Sequence, residues 1–254
     1  MNRKRNILKQ RRTSLLDIIR RLGDHTLNVE KVSALLGVSP VTLRRDLAVL
    51  QEQGLITHTY GKVFLTEDSA PTETEVSSDI ITRIAKRAAK FVDNGDTIFL
   101  NTSSTALRML KYIEASNVTV ITNNVLVANS PHCNGLNIIL TGGVVRHPKY
   151  AMVGNFAMRT LQSIHADKSF VGCNAVSVEY GMMVENSNEI SINMHMLTQL
   201  TGSVYLLADH SKIGRKSNFA IGDIQFINNL ITDRASNADT LDLFREIGTK
   251  IYLV

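Results

Sequence analysis

Between Ser14 and Leu22 the apolar residues Leu15, Ile18, Ile19 and Leu22 return at helical spacing. Val29–Leu36 repeats the pattern with Val32, Leu35 and Leu36, and Gly37 follows as a tight-turn residue. Ser39 and Pro40 then suit the cap and first turn of a third helix, in which Leu43, Leu47 and Leu50 share one side. At about 100° per residue, Val41, Arg44, Arg45 and Ala48 fall on the opposite arc. From Gly54 to Phe64 the pattern changes to alternating β-formers around Gly61, which predicts a two-stranded wing. Three helices and a hairpin therefore occupy residues 11–65.

The stretch 66–78, rich in Ser, Thr, Glu and Pro with Val76 as its one larger apolar residue, reads as a linker. Beyond it, Ile80, Ile81, Ile84, Ala85, Ala88 and Phe91 follow a helical period up to the turn Asp93–Asp96. Short β-rich runs recur at Thr97–Leu100, Val118–Thr122, Asn137–Thr141, Ser169–Gly172, Val204–Ala208, Phe226–Thr232 and Lys250–Val254. Helical segments at Thr105–Glu114, Phe156–Ile164, Glu189–Leu200 and Ala238–Ile247 separate many of them. Alternation of this kind predicts an α/β fold with a mostly parallel sheet. The expected organisation is a winged helix-turn-helix over 1–65, a linker over 66–78 and an α/β domain over 79–254.

Charge sharpens this division. Residues 1–62 hold twelve Lys/Arg against five Asp/Glu, whereas the other 192 residues hold sixteen against eighteen. A basic headpiece on a near-neutral body fits a polyanion-binding module. No apolar run approaches a membrane span, no secretory signal is expected after Arg3, Lys4 and Arg5, and no segment pairs a basic face with a bulky apolar one. These features exclude a membrane role and point to the cytoplasm. Cys133 and Cys173 lack metal-ligand spacing, and the seven histidines form no ligand cluster, so neither metal nor cofactor is expected.

Two arginines beside small residues suit a helix that enters the major groove, where guanidinium forks meet guanine edges or phosphates. The candidate DNA contacts are Ser39, Pro40, Val41, Thr42, Arg44, Arg45 and Ala48, with His58, Tyr60 and Lys62 on the wing. Arg44 and Arg45 taken alone would equally fit a solvated helix surface.

The run Val38–Leu47 (V-S-P-V-T-L-R-R-D-L), followed by Leu50, Gly54 and Tyr60-Gly61, resembles the signature of the DeoR-type bacterial regulators. Lys62 stands where that family has a second wing glycine. The resemblance extends through Asn94–Ile98, Asn101–Thr105, Ile121–Asn124, Gly142-Gly143, Ala208–Gly214 and Ile231–Asp233. It implies an effector domain similar in fold to ribose-5-phosphate isomerase, sensing a phosphorylated sugar.

The placement of the motifs points independently to a ligand. Asn101–Thr105, Thr122–Asn124, Thr141–Gly143 and Asp209–Lys212 each follow an expected strand, and parallel sheets bind ligands outside the carboxyl ends of their strands. The candidate effector contacts are Asn101, Ser103, Ser104, Thr105, Thr122, Asn123, Gly142, Gly143, Asp209 and Lys212. Bland readings stay open: a helix cap for Asn101–Thr105, a turn for the glycines, a solvated loop lysine for Lys212 and a loop-holding role for Asp209. Asn101 replaces the family's Asp, Ser103 its glycine and Asn193 its usual lysine, which removes a carboxylate and a cation from the region.

The leading expectation is a DNA-binding transcriptional regulator, a repressor controlled by a small metabolite. Because one recognition helix reads few base pairs, a homo-oligomer, dimer or tetramer, is expected on a double-stranded operator. The alternative is an isomerase-like sugar-phosphate enzyme with a DNA-binding headpiece. Asn101 removes its best acid/base candidate, leaving Asp209, Glu185 and Glu189.

Overall fold

The structure is a computed structural model that describes residues 11, 12, 14, 15, 18, 19, 29–52, 56–59, 62–65 and 73–254 apart from 134 and 148. At 52, 57–59, 62–65 and 73–77 only the backbone is described. The chain divides into two compact units, Met1–Thr72 and Glu73–Val254.

In the first unit, residues 11, 12, 14, 15, 18 and 19 are helical, followed by the helices Val29–Leu35 and Pro40–Glu52. Gly37 turns the chain with φ +63°, a conformation that costs a glycine little. Ser39 Oγ accepts from Thr42 N–H at 3.2 Å, giving the expected N-cap. Strands β1 (Ile56–Thr59) and β2 (Lys62–Leu65) pair antiparallel with Thr59 opposite Lys62, so the wing is present. Leu15, Ile19, Val32, Leu43, Leu50 and Ile56 form the core. Leu35 departs from the expected apolar face. It is 76% exposed, because it lies at the end of its helix where the chain turns away at Gly37.

Asp46 was not singled out by the sequence, yet it is 2% exposed on the buried side of the Pro40–Glu52 helix. Arg11 Nε meets its Oδ2 at 2.6 Å and Arg12 Nε meets its Oδ1 at 3.0 Å. Burial pushes its carboxyl up, but the two guanidinium hydrogen bonds outweigh burial and hold it below the usual carboxylate range.

The second unit opens with the helix Glu73–Ala89, which starts inside the expected linker, so that 73–78 is helical. Its apolar stripe, Ile80, Ile84, Ala85 and Ala88, is buried, and packing of that stripe carries the helix back through the polar residues before it. The strands beyond it are β3 (Thr97–Leu100), β4 (Thr119–Thr122), β5 (Asn137–Leu140), β6 (Val144–Arg146), β7 (Ala151–Val153) and β8 (Ala166–Val171). After them come β9 (Ala175–Ser177), β10 (Gly181–Val184), β11 (Leu200–Leu207), β12 (Phe219–Gly222), β13 (Asn229–Thr232) and β14 (Lys250–Leu253).

Among the described residues, seven strands form one parallel sheet in the order β14-β13-β11-β8-β3-β4-β5. These are the seven β-rich runs the sequence marks, to within a few residues at each end. The shorter antiparallel pieces, β6–β7 and β12-β10-β9, are additions the sequence pattern does not show. Side chains alternate across the sheet. Phe99, Val171 and Leu206 pack with Leu161, Met196 and Phe244 on one face, while Ile98, Leu100, Phe170 and Leu207 pack with Ile84, Ala88 and Met109 on the other. Helices thus cover both faces.

Strand order sets where a crevice can open. From β3 the chain moves outward through β4 and β5, then returns to β8 on the other side of β3 and proceeds outward through β11, β13 and β14. The reversal lies between β3 and β8, the place where such sheets leave a crevice at their carboxyl ends.

The Asp46 cluster gives a test. Asp46→Ala in the full-length protein should lower the hydrogen-exchange stability of amides in Pro40–Glu52 by about 1–3 kcal/mol. Because the folded carboxyl lies below its ordinary value of 3.8, its contribution is complete above that value and is lost as the pH falls through the folded-state pKa. The acid sensitivity of this helix should therefore flatten in the variant. Equal acid dependence in both proteins would mean that the buried pair does not govern it.

Candidate functional site

On the Pro40–Glu52 helix, Leu43, Asp46 and Leu50 face inward, while Val41, Arg44, Arg45 and Ala48 are exposed. The burial pattern thus leaves the two arginines on the free arc, as expected. Ser39 and Pro40 are exposed at the helix start, and the hydroxyls of Ser39 and Thr42 bond to each other at 2.9 Å. The backbone of His58 and Lys62 lies on β1 and β2, but their side chains, and Tyr60 entirely, fall outside the described residues.

In the second unit the expected effector residues gather along the carboxyl edge of the parallel sheet, but several face inward. Asn101, Thr105, Thr122 and Asn123 are buried. Thr122 Oγ1 accepts from Asn124 N–H at 3.1 Å. Asn123 Nδ2 donates to the Met152 carbonyl at 3.2 Å, while its Oδ1 is buried without a hydrogen-bond partner. Ser103 caps the short helix Ser104–Met109, accepting from Ala106 N–H at 3.4 Å, and Ser104 is exposed. Gly142 and Gly143 have φ of +71° and +108°, and a Cβ at Gly143 would stand 2.6 Å from the Val153 carbonyl oxygen. Close packing of the chain on the β6–β7 hairpin accounts for Gly143, which favours the turn reading of that glycine.

Charged groups converge where β3, β8 and β11 end. Lys212 Nζ lies 3.5 Å from Asp209 Oδ2, and Asp209 Oδ1 accepts from Ser211 N–H at 3.0 Å and from the Ser211 hydroxyl. Burial pushes the Asp209 carboxyl up, but the Ser211 bonds and Lys212 outweigh it and hold it below its usual range. Asp209 therefore supports its loop and steadies Lys212.

The sequence named Glu189 only as a remaining acid/base candidate and missed the group it forms with Lys149. Glu189, 3% exposed, is held by Lys149 Nζ at 3.2 Å from Oε1 and by the Thr102 hydroxyl, which donates to Oε2 at 3.1 Å. Lys149 also donates to Asn174 Oδ1, 3.1 Å away in the segment just after β8. Lys149 comes from the turn between β6 and β7, and Glu189 from the 3-10 turn Ser187–Glu189. Forty residues separate them, and the sequence offers no signal for the hairpin that brings them together. The charges of Lys212, Asp209 and Lys149 all reach Cys173, although burial is the larger influence and pushes that thiol up to about 12, which makes it inert.

The edge can thus present cations and hydroxyls to a small anionic, hydroxyl-bearing molecule. Asn101, the position from which a carboxylate would work as a base, carries an amide whose hydrogen bonds are all internal. Among the described residues no three His, Cys, Asp or Glu side chains gather as metal ligands, and no helix is long and apolar enough to cross a membrane.

A capped helix with an exposed Arg-Arg pair, a wing, and a separate two-faced α/β unit define a winged helix-turn-helix regulator of transcription with a sensor domain. Comparison with known proteins agrees. A DeoR-like helix-turn-helix domain matches residues 11–68 and a DeoR C-terminal sensor domain matches residues 80–234. The chain belongs to the DeoR family. It is 29% identical to the putative aga operon transcriptional repressor of Escherichia coli O157:H7, covering 96% of this chain and 93% of that protein. It is 30% identical to the HTH-type transcriptional repressor GlcR of Bacillus subtilis, covering 96% and 95%. Among solved structures it is similar to the full-length sorbitol operon regulator SorC from Klebsiella pneumoniae, with a TM-score of 0.44, 12% identity and coverage of 92% and 98%. The protein is a DNA-binding transcriptional regulator.

The Lys149–Glu189 pair predicts a measurable asymmetry. Lys149→Ala leaves a buried carboxylate with the Thr102 hydroxyl, which should cost about 1–3 kcal/mol of stability. Glu189→Gln should cost less, and the double variant should recover part of the Lys149→Ala loss. Calorimetric melting of the four proteins checks this, and strictly additive losses would show that the two groups do not act on each other.

Proposed function

We propose that this protein is a cytoplasmic repressor that binds a double-stranded operator as a homo-oligomer, dimer or tetramer, and is controlled by a phosphorylated sugar. The observation that carries the effector half is that two lysines stand at the carboxyl ends of neighbouring strands near the reversal of strand order, Lys149 bonded to Asn174 just after β8 and Lys212 in the turn just after β11. Lysine ammonium groups suit a phosphate, while Ser104, Thr102 and the carboxylates suit sugar hydroxyls. The operator half rests on the exposed Arg44 and Arg45. Val41 and Ala48 allow close approach, and Ser39, Pro40 and Thr42 stand at the entering end of the helix. His58, Tyr60 and Lys62 complete the proposed DNA contacts from the wing.

Arg44→Ala and Arg45→Ala should each weaken specific operator binding by about 1–3 kcal/mol wherever the arginine makes a bidentate base contact. Folding should hardly change, since both side chains are exposed. Binding isotherms against operator and random duplex check this, and unchanged operator affinity in both variants would remove the recognition-helix assignment.

For the effector, melting temperatures should rise with one or more sugar phosphates and not with the corresponding free sugars, because a ligand that binds only the folded state stabilises it. Lys212→Ala should weaken that response while leaving effector-free operator binding near wild type. Ser104→Ala should act in the same direction but less. Calorimetric titration with the best stabilising sugar phosphate decides the matter: a Lys212→Ala protein that binds as tightly as wild type puts the phosphate elsewhere.

A further inference from the structure

At the reversal of strand order one side chain has every hydrogen-bonding position filled. Asn101, 3% exposed, donates from Nδ2 to the Gly172 carbonyl at 2.8 Å and to Asn193 Oδ1 at 2.7 Å. Its Oδ1 accepts from Gly172 N–H at 3.0 Å and from Ser103 N–H at 3.1 Å. A primary amide has two donor hydrogens and two acceptor sites, so nothing remains for a ligand. Asn193, 1% exposed, passes the connection on, its Nδ2 donating to the Glu189 carbonyl at 2.8 Å. The Glu189 side chain in turn holds Lys149 of the β6–β7 hairpin. Ser103 fills the remaining space over Gly172, where an added Cβ would stand 2.2 Å from Ser103 Oγ.

We propose that Asn101 and Asn193 act as one positioning unit, a pair of neutral amides that closes the β3–β8 crevice and fixes Glu189, and through it Lys149. Neither amide touches the effector; both set where its contacts stand. The last step rests on the reading of this edge as the effector site, whereas the linkage itself does not. The polarity of the chain gives the pair its rigidity. Asn101 donates to Asn193, and Asn193 donates to the Glu189 carbonyl. Turning the Asn193 amide over would set two N–H groups against each other at one end and two oxygens at the other. A mismatch introduced at Asn101 is therefore passed along to Glu189 and the hairpin.

Asn101→Asp is the matching perturbation in size. An ionised carboxylate accepts only, yet it would face two acceptors, the Gly172 carbonyl and Asn193 Oδ1. Hydrogen exchange of the full-length protein without any ligand reads the consequence. At pH 8 the amides of Val144–Val153 should exchange about tenfold or more faster than in wild type, beyond any change in β13 and β14 at the far edge. Burial and the two facing acceptors disfavour the charged carboxylate and raise its pKa, so at pH 5, after correction for intrinsic rates, protonation restores a donor toward Asn193 and hairpin protection should return toward wild type. Glu189, Lys149, Asp209, Lys212 and Cys173 lie in the same region, and wild type measured at both pH values is the control for any pH response that does not come from the substituted side chain. Should Asn101→Asp fail to fold at pH 8, Asn193→Ala serves instead. It should loosen the hairpin out of proportion to β13 and β14, with no recovery at pH 5. Unchanged hairpin protection, or a loss spread evenly over all strands, would overturn the proposal. Since no ligand enters the experiment, a failed sugar-phosphate screen would count against the effector reading and leave this result standing.

Discussion

A parallel sheet that winds outward in two directions from its middle leaves a crevice where the directions part, and here that constraint falls between β3 and β8. The crevice lies against backbone groups at the ends of both strands, which need partners once they are buried. Asn101 supplies them, bonding the N–H and C=O of Gly172 across the gap. The surrounding edge is arranged about this closure. Thr102, the next residue, reaches Glu189; Asn174, just after β8, reaches Lys149; and Asn193 ties the helix Ile190–Thr198 to Asn101.

The two units use the same electrostatic device for different ends. In each, a buried acidic group is held by cations from a distant part of the chain: Asp46 by Arg11 and Arg12, and Glu189 by Lys149. A buried carboxylate is costly unless paired and hydrogen-bonded, so each pair fixes the segments that carry it. In the first unit this secures the inner side of the Pro40–Glu52 helix and leaves Arg44 and Arg45 on its exposed arc. In the second it anchors the β6–β7 hairpin at the edge of the sheet, with the lysine half exposed and the carboxylate enclosed.

Most of the architecture was legible in the chain. The inner strands of the main sheet are largely buried and read as compact apolar runs because helices cover both faces, and the edge strands β5 and β14 read the same way although they are partly exposed. The helix-turn-helix was legible for local reasons: a cap at Ser39, a left-handed turn at Gly37 and a leucine stripe with arginines opposite. The antiparallel pieces β6–β7 and β12-β10-β9 were not. With three or four residues each, they are too short for alternation to stand out, and their pairing depends on distant partners. The start of the Glu73–Ala89 helix was hidden as well, since packing of Ile80 and Ile84 stabilises a polar first turn that composition alone reads as linker.

The sequence by itself determined the kind of protein: a basic headpiece with a recognition helix, a parallel α/β body, and ligand-competent residues at the strand ends. Local periodicity and capping encode such features within a few residues of one another. Only the tertiary structure decided which of those residues face outward. Asn101 and Ser103 look like ligand contacts in one dimension. Folding buries the first among hydrogen bonds and makes the second a helix cap packed on Gly172. Lys149 carries no local signal and Glu189 none that points to its partner, and folding brings them to the edge together with Thr102 and Asn174. The physical reason is that hydrogen-bond saturation and charge pairing are properties of groups brought close by the fold, and residues tens of positions apart give no periodic sign that they will meet.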